Sequence, residues 1–469
     1  MLVLAAAGLA ATGCDRLSPP PSVLLVVVDT LRADAVGVLG GGPGRGSPGA
    51  LTPNIDAWAG QAAVFRRAST PAPFTMPAMA ALFTGAYPDR SGVIAHEPGV
   101  GLVAWPGLTL AEAARQAGAA TAAVVANPWL VRSRTGFDRG FDTFTRLHGT
   151  RTTTSVNSAT AVTDEAIRLI EAAGDRRFFV WAHYFDPHMP YEPPAAFAEA
   201  AGAPPGTSRV MSDFASAERN LRGLYRGDGY GAGELDHARR LYDGEVRYTD
   251  REVGRLLARL EALGLADRTL VVVASDHGES LGEHGLFFAH DYTLYEELTR
   301  VALLIRGPGI EAGVRDDEVS LIDVAPTICR LAAWPCRGDI DGRDLLAGPR
   351  GGRTLFAAAT PLRAKGTPFD GLEVSGAEGR WTMALRDGKK LVRIPRQAGP
   401  LLEFYDLGSD PAETRNLAAQ APPEAAGLRT DLEQWSARME TARPAATSSP
   451  TVPGQQRDEE TLRSLGYLQ

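Results

Sequence analysis

Three stretches of the chain are almost wholly apolar, and each ends in polar residues. "SVLLVVVD" runs from Ser22 to Asp29, "RTLVVVASD" from Arg268 to Asp276, and "RFFVWAHYFDPH" from Arg177 to His188. Continuous apolar runs of this length predict strands buried on both faces, as in a parallel sheet. Between them lie "TPNIDAWAGQAAVF", "TLAEAARQAG" and "YTDREVGRLLARLEALG", whose apolar residues recur at helical spacing. The alternation predicts an α/β fold with a mostly parallel central sheet flanked by helices. Beyond residue 350 the pattern changes. "GRWTMALRDGKKLVRIP" and "LLEFYDLGSDPAETRNLA" predict a small C-terminal α+β subdomain over 351–425, followed by a helix and tail over 426–469.

Ligands of open α/β sheets bind beyond the carboxyl ends of the strands. Asp29, Asp276, His183, Asp186 and His188 fall at such ends, so the pattern points to one site. Two carboxylates with the Thr30 hydroxyl and the His277 imidazole make an oxygen-rich set suited to a divalent cation. "FTMPAMAALFTG", residues 74–85, has two readings. Thr75 caps a short helix that Gly85 stops, or its hydroxyl is a nucleophile at a positive helix N-terminus.

Composition narrows the partners. The chain has 469 residues, a net charge of -8 and no basic run, which argues against nucleic-acid binding. "MLVLAAAGLAATGC" is apolar from Leu2 to Thr12, too short to span a bilayer but right for a signal-peptide core. Ala11–Cys14 resembles a bacterial lipoprotein processing box. The expectation is a signal peptide over 1–14, lipid on Cys14 and a Pro-rich tether over 15–22. That would anchor the protein to a membrane of the cell envelope, facing periplasm or exterior; plain secretion is the alternative. Cys329 and Cys336 are able to pair in an oxidising compartment.

Several phrases together resemble the sulfatases of the alkaline phosphatase superfamily: "VVVDTLRAD", "FTMPAMAALFTGAYPDRSG", "HYFDPHMPYEPP", "SDHGESLGEHG" and "FYDLGSDPAETRNL". The resemblance runs from Val23 to Asn416 and implies a catalytic domain over 23–350. It gives metal-binding roles to Asp29, Asp276 and His277, with Thr75 as nucleophile and metal partner. His188 matches the residue that contacts the ester and leaving group. His290 is the nearest candidate for the family's anion-binding Lys. Thr30, His183, Asp186 and Asn127 are further candidates for metal or substrate. Family resemblance implies Ca2+, whereas His277 makes Zn2+ or Mn2+ plausible. His284, Glu279 and Glu283 read as loop-stabilising, and Arg32 with Asp34 as a local pair.

This chain departs from the family at the nucleophile. Typical sulfatases oxidise a Cys or Ser to formylglycine, and Thr75 is no substrate for that maturation. The Arg expected four positions on is Met79. A Thr has one oxygen, so a covalent intermediate must be cleaved by water at sulfur or phosphorus. The resemblance therefore implies a metal-dependent hydrolase of sulfate, phosphate or phosphonate esters, acting on a small molecule, glycan or lipid. Two alternatives stand: a phosphotransferase for lipid or polymer headgroups, and a non-catalytic binder of anionic glycans. Oligomeric state is not legible.

Overall fold

All seven residues of β1 (Ser22–Val28) are buried. Leu24, Val26 and Val28 enter one apolar core and Val23, Leu25 and Val27 another, because successive strand side chains point to opposite faces. The strand is therefore the middle of a three-layer sandwich. The computed structural model describes residues 19–40, 50–95, 102, 105–130, 135–147, 158–215, 225–336, 340–348, 351–361 and 379–444. Cys14, most of the tether and the terminal tail lie outside these residues.

The remaining strands of the main region are β2 (Ala63–Ser69), β3 (Ala120–Val125), β4 (Thr143–Arg146), β5 (Phe178–Tyr184), β6 (Thr269–Ser275), β7 (Ser280–Leu281), β8 (Phe287–Ala289), β9 (Arg300–Val301), β10 (Leu303–Arg306) and β11 (Gly313–Ser320). The central sheet has the order β11-β2-β10-β6-β1-β5-β3-β4, with β9 beside β2 and the β7–β8 hairpin apart. Its pairings are parallel except where β10 meets β2 and β6 and where β9 meets β2. Val28 stands opposite Ser275 on one side and Tyr184 on the other. That register brings the residues after β1, β5 and β6 out at the same edge.

Two helical expectations shift. In "TPNIDAWAGQAAVF" the helix covers only Pro53–Ala59. From Ala63 the chain is strand, since Ala63 and Val64 pair with Ile305 and Leu304, and tertiary pairing overrides helical spacing. The helix expected around "YTDREVGRLL" runs much further, over Ala232–Ala262, burying Leu241, Tyr242, Val246, Val253, Leu256 and Leu260 along one stripe.

The C-terminal region is an antiparallel sheet of β12 (Leu355–Ala358), β13 (Thr382–Arg386), β14 (Lys389–Ile394) and β15 (Leu401–Asp406), paired in that order. The helix Pro423–Ala442 buries Leu428, Leu432, Trp435 and Met439 at helical spacing. Trp435 stacks on Phe356 at 5.1 Å and meets Tyr87 of the main region edge-on at 5.3 Å. Truncating a buried aromatic of this kind costs about 3–5 kcal/mol. Cys329 and Cys336 form a disulfide with Cα atoms 5.8 Å apart, at the end of the helix Val324–Leu331. Among the described residues no helix is long and apolar enough to cross a membrane.

Candidate active site

Asp29 follows β1 and Asp276 follows β6, and both are fully buried. The Asp29 amide donates to the Tyr184 carbonyl at 3.0 Å, so the chain leaves the sheet only after the aspartate is in place. Thr30 then turns with φ 51, a left-handed conformation that costs a β-branched residue about 1–3 kcal/mol. That turn aims its amide at Asp276 Oδ1, 3.3 Å away. Asp29 Oδ1, Asp276 Oδ2, Thr30 Oγ1 and both ring nitrogens of His183 are buried with no hydrogen-bond partner among the described residues.

Asp29, His183 and Asp276 each offer a ligand atom, all within 4.8 Å of one another. Burial, then the charge of Asp276, pushes Asp29 well above the usual carboxylate range, against a hydrogen bond from Asn127. Burial likewise lifts Asp276 to about 7. Two buried carboxylates this close disfavour each other's ionised form, although the His290 charge works against that for both. Burial holds His183 down at about 3, so its ring is neutral and able to ligate. The residues fit a divalent cation: orphaned carboxylate oxygens face a neutral imidazole in a dry cluster.

His277 adds a further nitrogen. Its Nδ1 lies 2.9 Å from the Gly278 carbonyl, which can only accept, so Nδ1 carries the proton. Its Nε2 faces Asp29 Oδ1 at 3.6 Å, Asp276 Oδ2 at 3.5 Å and Thr75 Oγ1 at 3.4 Å.

Thr75 is the first residue of its helix, Thr75–Thr84; the cap position belongs to Phe74, and no side chain caps the end. The Thr75 hydroxyl is thus not spent on capping. Asn127 donates to it at 3.3 Å and to Asp29 Oδ2 at 2.5 Å, while its own carbonyl accepts from the Trp129 amide at 2.8 Å. One turn on, Met79 is fully buried in the core, so this helix brings no cation to Thr75. Gly85 ends the helix at φ 70, tight against Pro326 and the Ile322 carbonyl.

Positive charge comes from His290. Its Nδ1 bonds Glu279 Oε1 at 2.9 Å, and its ring stands 4.7 Å from His277 and 5.0 Å from His188. Burial opposes the charge, but Glu279, Asp291 and Asp29 outweigh it and push His290 up to about 10. His188 is its opposite. Burial, then His290, holds it well below the usual histidine range. Its Nδ1 lies 2.7 Å from the Met189 carbonyl, so the proton sits there and not on Nε2. Glu279 was legible only as a loop residue, yet it also accepts from the Tyr191 hydroxyl at 3.2 Å. Nothing in the sequence tied it to His290.

Asp186 is elsewhere. Its Oδ2 accepts from Ser158 N at 3.1 Å, Ser158 Oγ at 3.0 Å and Ala159 N at 2.7 Å, closing the start of the helix Ala159–Ala173. Arg32 pairs with Asp34 and with Glu283, and also donates to the Glu279 carbonyl, pinning the loop that carries His277.

A buried cluster able to hold a cation, at the carboxyl edge of a doubly covered, mostly parallel sheet and beside a hydroxyl at a helix start, fits one class: an alkaline phosphatase-like α/β fold. The sequence model of the sulfatase family matches residues 21–333. Arylsulfatase K of Bos taurus is 32% identical over 206 residues, 42% of this chain and 36% of that protein. Choline-sulfatase of Rhizobium meliloti (strain 1021) is 34% identical over 185 residues, 39% of this chain and 33% of that protein. The chain thus spans about a third of the length of these relatives. The phosphonate monoester hydrolase of Agrobacterium radiobacter superposes with a TM-score of 0.69 at 21% identity, over 90% of this chain and 96% of that one. The chain belongs to the sulfatase family.

Proposed function

We propose that this protein hydrolyses sulfate, phosphate or phosphonate esters through a covalent intermediate on Thr75. The observation that carries the reading is the Thr75 hydroxyl itself, uncommitted to its helix and held by Asn127 and His277 beside the orphaned carboxylates. A divalent cation, held by Asp29, Asp276 and His277 with His183 at hand, would lower the pKa of a nearby hydroxyl and neutralise developing charge.

The chain's own residues do the rest. Ionised Thr75 Oγ attacks sulfur or phosphorus, the bond to the alcohol oxygen breaks, and His290 gives that oxygen its proton. Water then attacks the same centre, the bond to Oγ breaks, and the water proton returns to His290. His188, neutral and protonated at Nδ1, serves to orient His290 and the leaving group. Because Thr75 offers one oxygen, phosphate and phosphonate esters suit it better than sulfate esters. The phosphonate monoester hydrolase likeness in fold is in keeping with that preference. A membrane anchor through Cys14 is part of the same reading, and the Cys329–Cys336 disulfide is in keeping with a place outside the cytosol.

The test is turnover of aryl sulfate, aryl phosphate, phosphodiester and phosphonate esters in added Ca2+, Mn2+ or Zn2+. Thr75→Ala should lower activity at least about 10³-fold. Activity that survives the substitution removes Thr75 as nucleophile. An inert wild type under every condition favours a binder of anionic glycans.

A further inference from the structure

A second cluster of ligand atoms lies where the catalytic loop meets the C-terminal sheet. His284, Glu297 and Glu413 each present one, all within 4.8 Å of one another. They come from three segments: the turn between β7 and β8, the helix Glu296–Thr299, and the loop after β15. His284 Nε2 is 3.9 Å from Glu297 Oε2, and the Glu297 side chain is only 6% exposed. Glu297 Oε1 is buried and has no hydrogen-bond partner among the described residues.

The cations nearest to it are engaged elsewhere. Lys390 Nζ stands 2.9 Å from Glu296 Oε1 and 2.9 Å from Glu413 Oε1, so it is shared between two carboxylates. Arg32 is committed to Asp34 and Glu283. Among the described residues Glu297 is paired with no Lys or Arg, and Arg32 acts on it only at longer range. His284 sits at φ 53 and lies flat on Tyr295, ring centroids 3.6 Å apart, which fixes the direction of its ring. A cavity of about 430 Å³ reaches Glu297 from outside, with Glu283 and Glu296 but also Arg32, Arg66, Arg67 and Arg300 in its wall.

We infer that His284, Glu297 and Glu413 bind a second divalent transition cation, of the zinc class, that fastens the catalytic loop to the C-terminal sheet. One imidazole and two carboxylates are the donor types zinc accepts. The link to the active site is short. The Gly278 amide donates to the Leu298 carbonyl at 2.9 Å. A Cβ on Gly278 would lie 1.8 Å from the Glu297 carbonyl oxygen. The loop bearing Asp276 and His277 therefore rests on the segment bearing Glu297. This inference stands apart from the function proposed above, because it uses none of the same ligands.

The experiment is zinc stoichiometry of the full chain, freed of metal, loaded with Zn2+, desalted and measured by elemental analysis. Wild type should hold two equivalents, and Glu297→Gln and His284→Asn one each. Asp276→Asn should retain the equivalent that Glu297→Gln loses. Zinc should raise the thermal midpoint of Asp276→Asn and not that of Glu297→Gln with Asp276→Asn combined. His284 is partly exposed, so its variant guards against a folding failure of the Glu297 change. Unchanged zinc content in both Glu297→Gln and His284→Asn overturns the inference. So does a wild type whose zinc is wholly lost in Asp276→Asn. Zinc kept in Asp276→Asn but absent from Glu297→Gln, in an enzymatically inert protein, would leave this site standing while the proposed function falls.

Discussion

Asp29 and Asp276 on one side, and Asp186 on the other, are all aspartates just beyond buried strands, and all are buried. Burial raises the pKa of each. They differ in their partners. Asp186 Oδ2 receives three hydrogen bonds from Ser158 and Ala159, whereas Asp29 and Asp276 each accept through one oxygen and leave Oδ1 and Oδ2, respectively, with no partner among the described residues. A saturated carboxylate holds the fold together. An unsaturated pair is a cost that folding alone does not explain, and a bound cation offsets it.

The sharpest way to break this contrast is Asp276→Asn. If the orphaned pair serves a cation, the variant should lose about 10³-fold in activity, the scale for removing a group that acts on transition-state charge. Steady-state turnover and metal content measured together check it. A variant within tenfold of wild type would place Asp276 with Asp186 as a purely structural group.

How far was this legible beforehand? The strands were, because "SVLLVVVD" and "RTLVVVASD" allow no amphipathic alternative, and an aspartate after each marks the sheet edge. Their register was not, since it depends on Val28 pairing with both Ser275 and Tyr184. Asn127 and Asp186 were equal candidates in sequence. Only the fold sends the Asn127 amide to Asp29, 98 residues away, and a helix start 28 residues upstream to Asp186. The chemistry of the histidines was also hidden. His290 owes its charge to Glu279, eleven positions earlier across the β7–β8 hairpin, and His188 owes its tautomer to a neighbouring carbonyl. The C-terminal sheet was legible from the change of pattern in "GRWTMALRDGKKLVRIP", but not that Lys390 is buried between glutamates.

A middle-sized effect tests whether charge supplied by neighbours matters as much as orphaned atoms do. Glu279→Gln removes the principal support of the His290 cation. With His290 held up to about 10, activity that depends on the imidazolium should persist until pH approaches that value. The stability it contributes is full below its unfolded pKa of about 6.5 and is lost as pH rises toward 10. In Glu279→Gln both limbs should move to lower pH, with roughly a tenfold loss of kcat/KM at pH 8. A pH–rate profile with an unmoved alkaline limb would remove His290 from the reaction.

The smallest effect belongs to Asp186→Asn. Burial is the larger influence on Asp186 and the bonds from Ser158 and Ala159 oppose it, leaving the carboxyl at about 7. Unfolded, the same group titrates near 3.9. Between those values the folded protein holds a proton that the unfolded chain does not, so this group's contribution to stability falls as pH rises from about 4 to about 7. Asparagine keeps an acceptor for the helix start but has no charge to bury. The variant should lose about 1 kcal/mol near pH 5, where the neutral acid already suits the site. The deficit should shrink or reverse by pH 8, because only wild type then buries an anion there. Denaturant midpoints across that range measure it, with turnover and metal content expected to stay within about twofold of wild type. A loss of metal in this variant would mean that a saturated carboxylate also reaches the cation, and partner count would no longer separate the two kinds of aspartate.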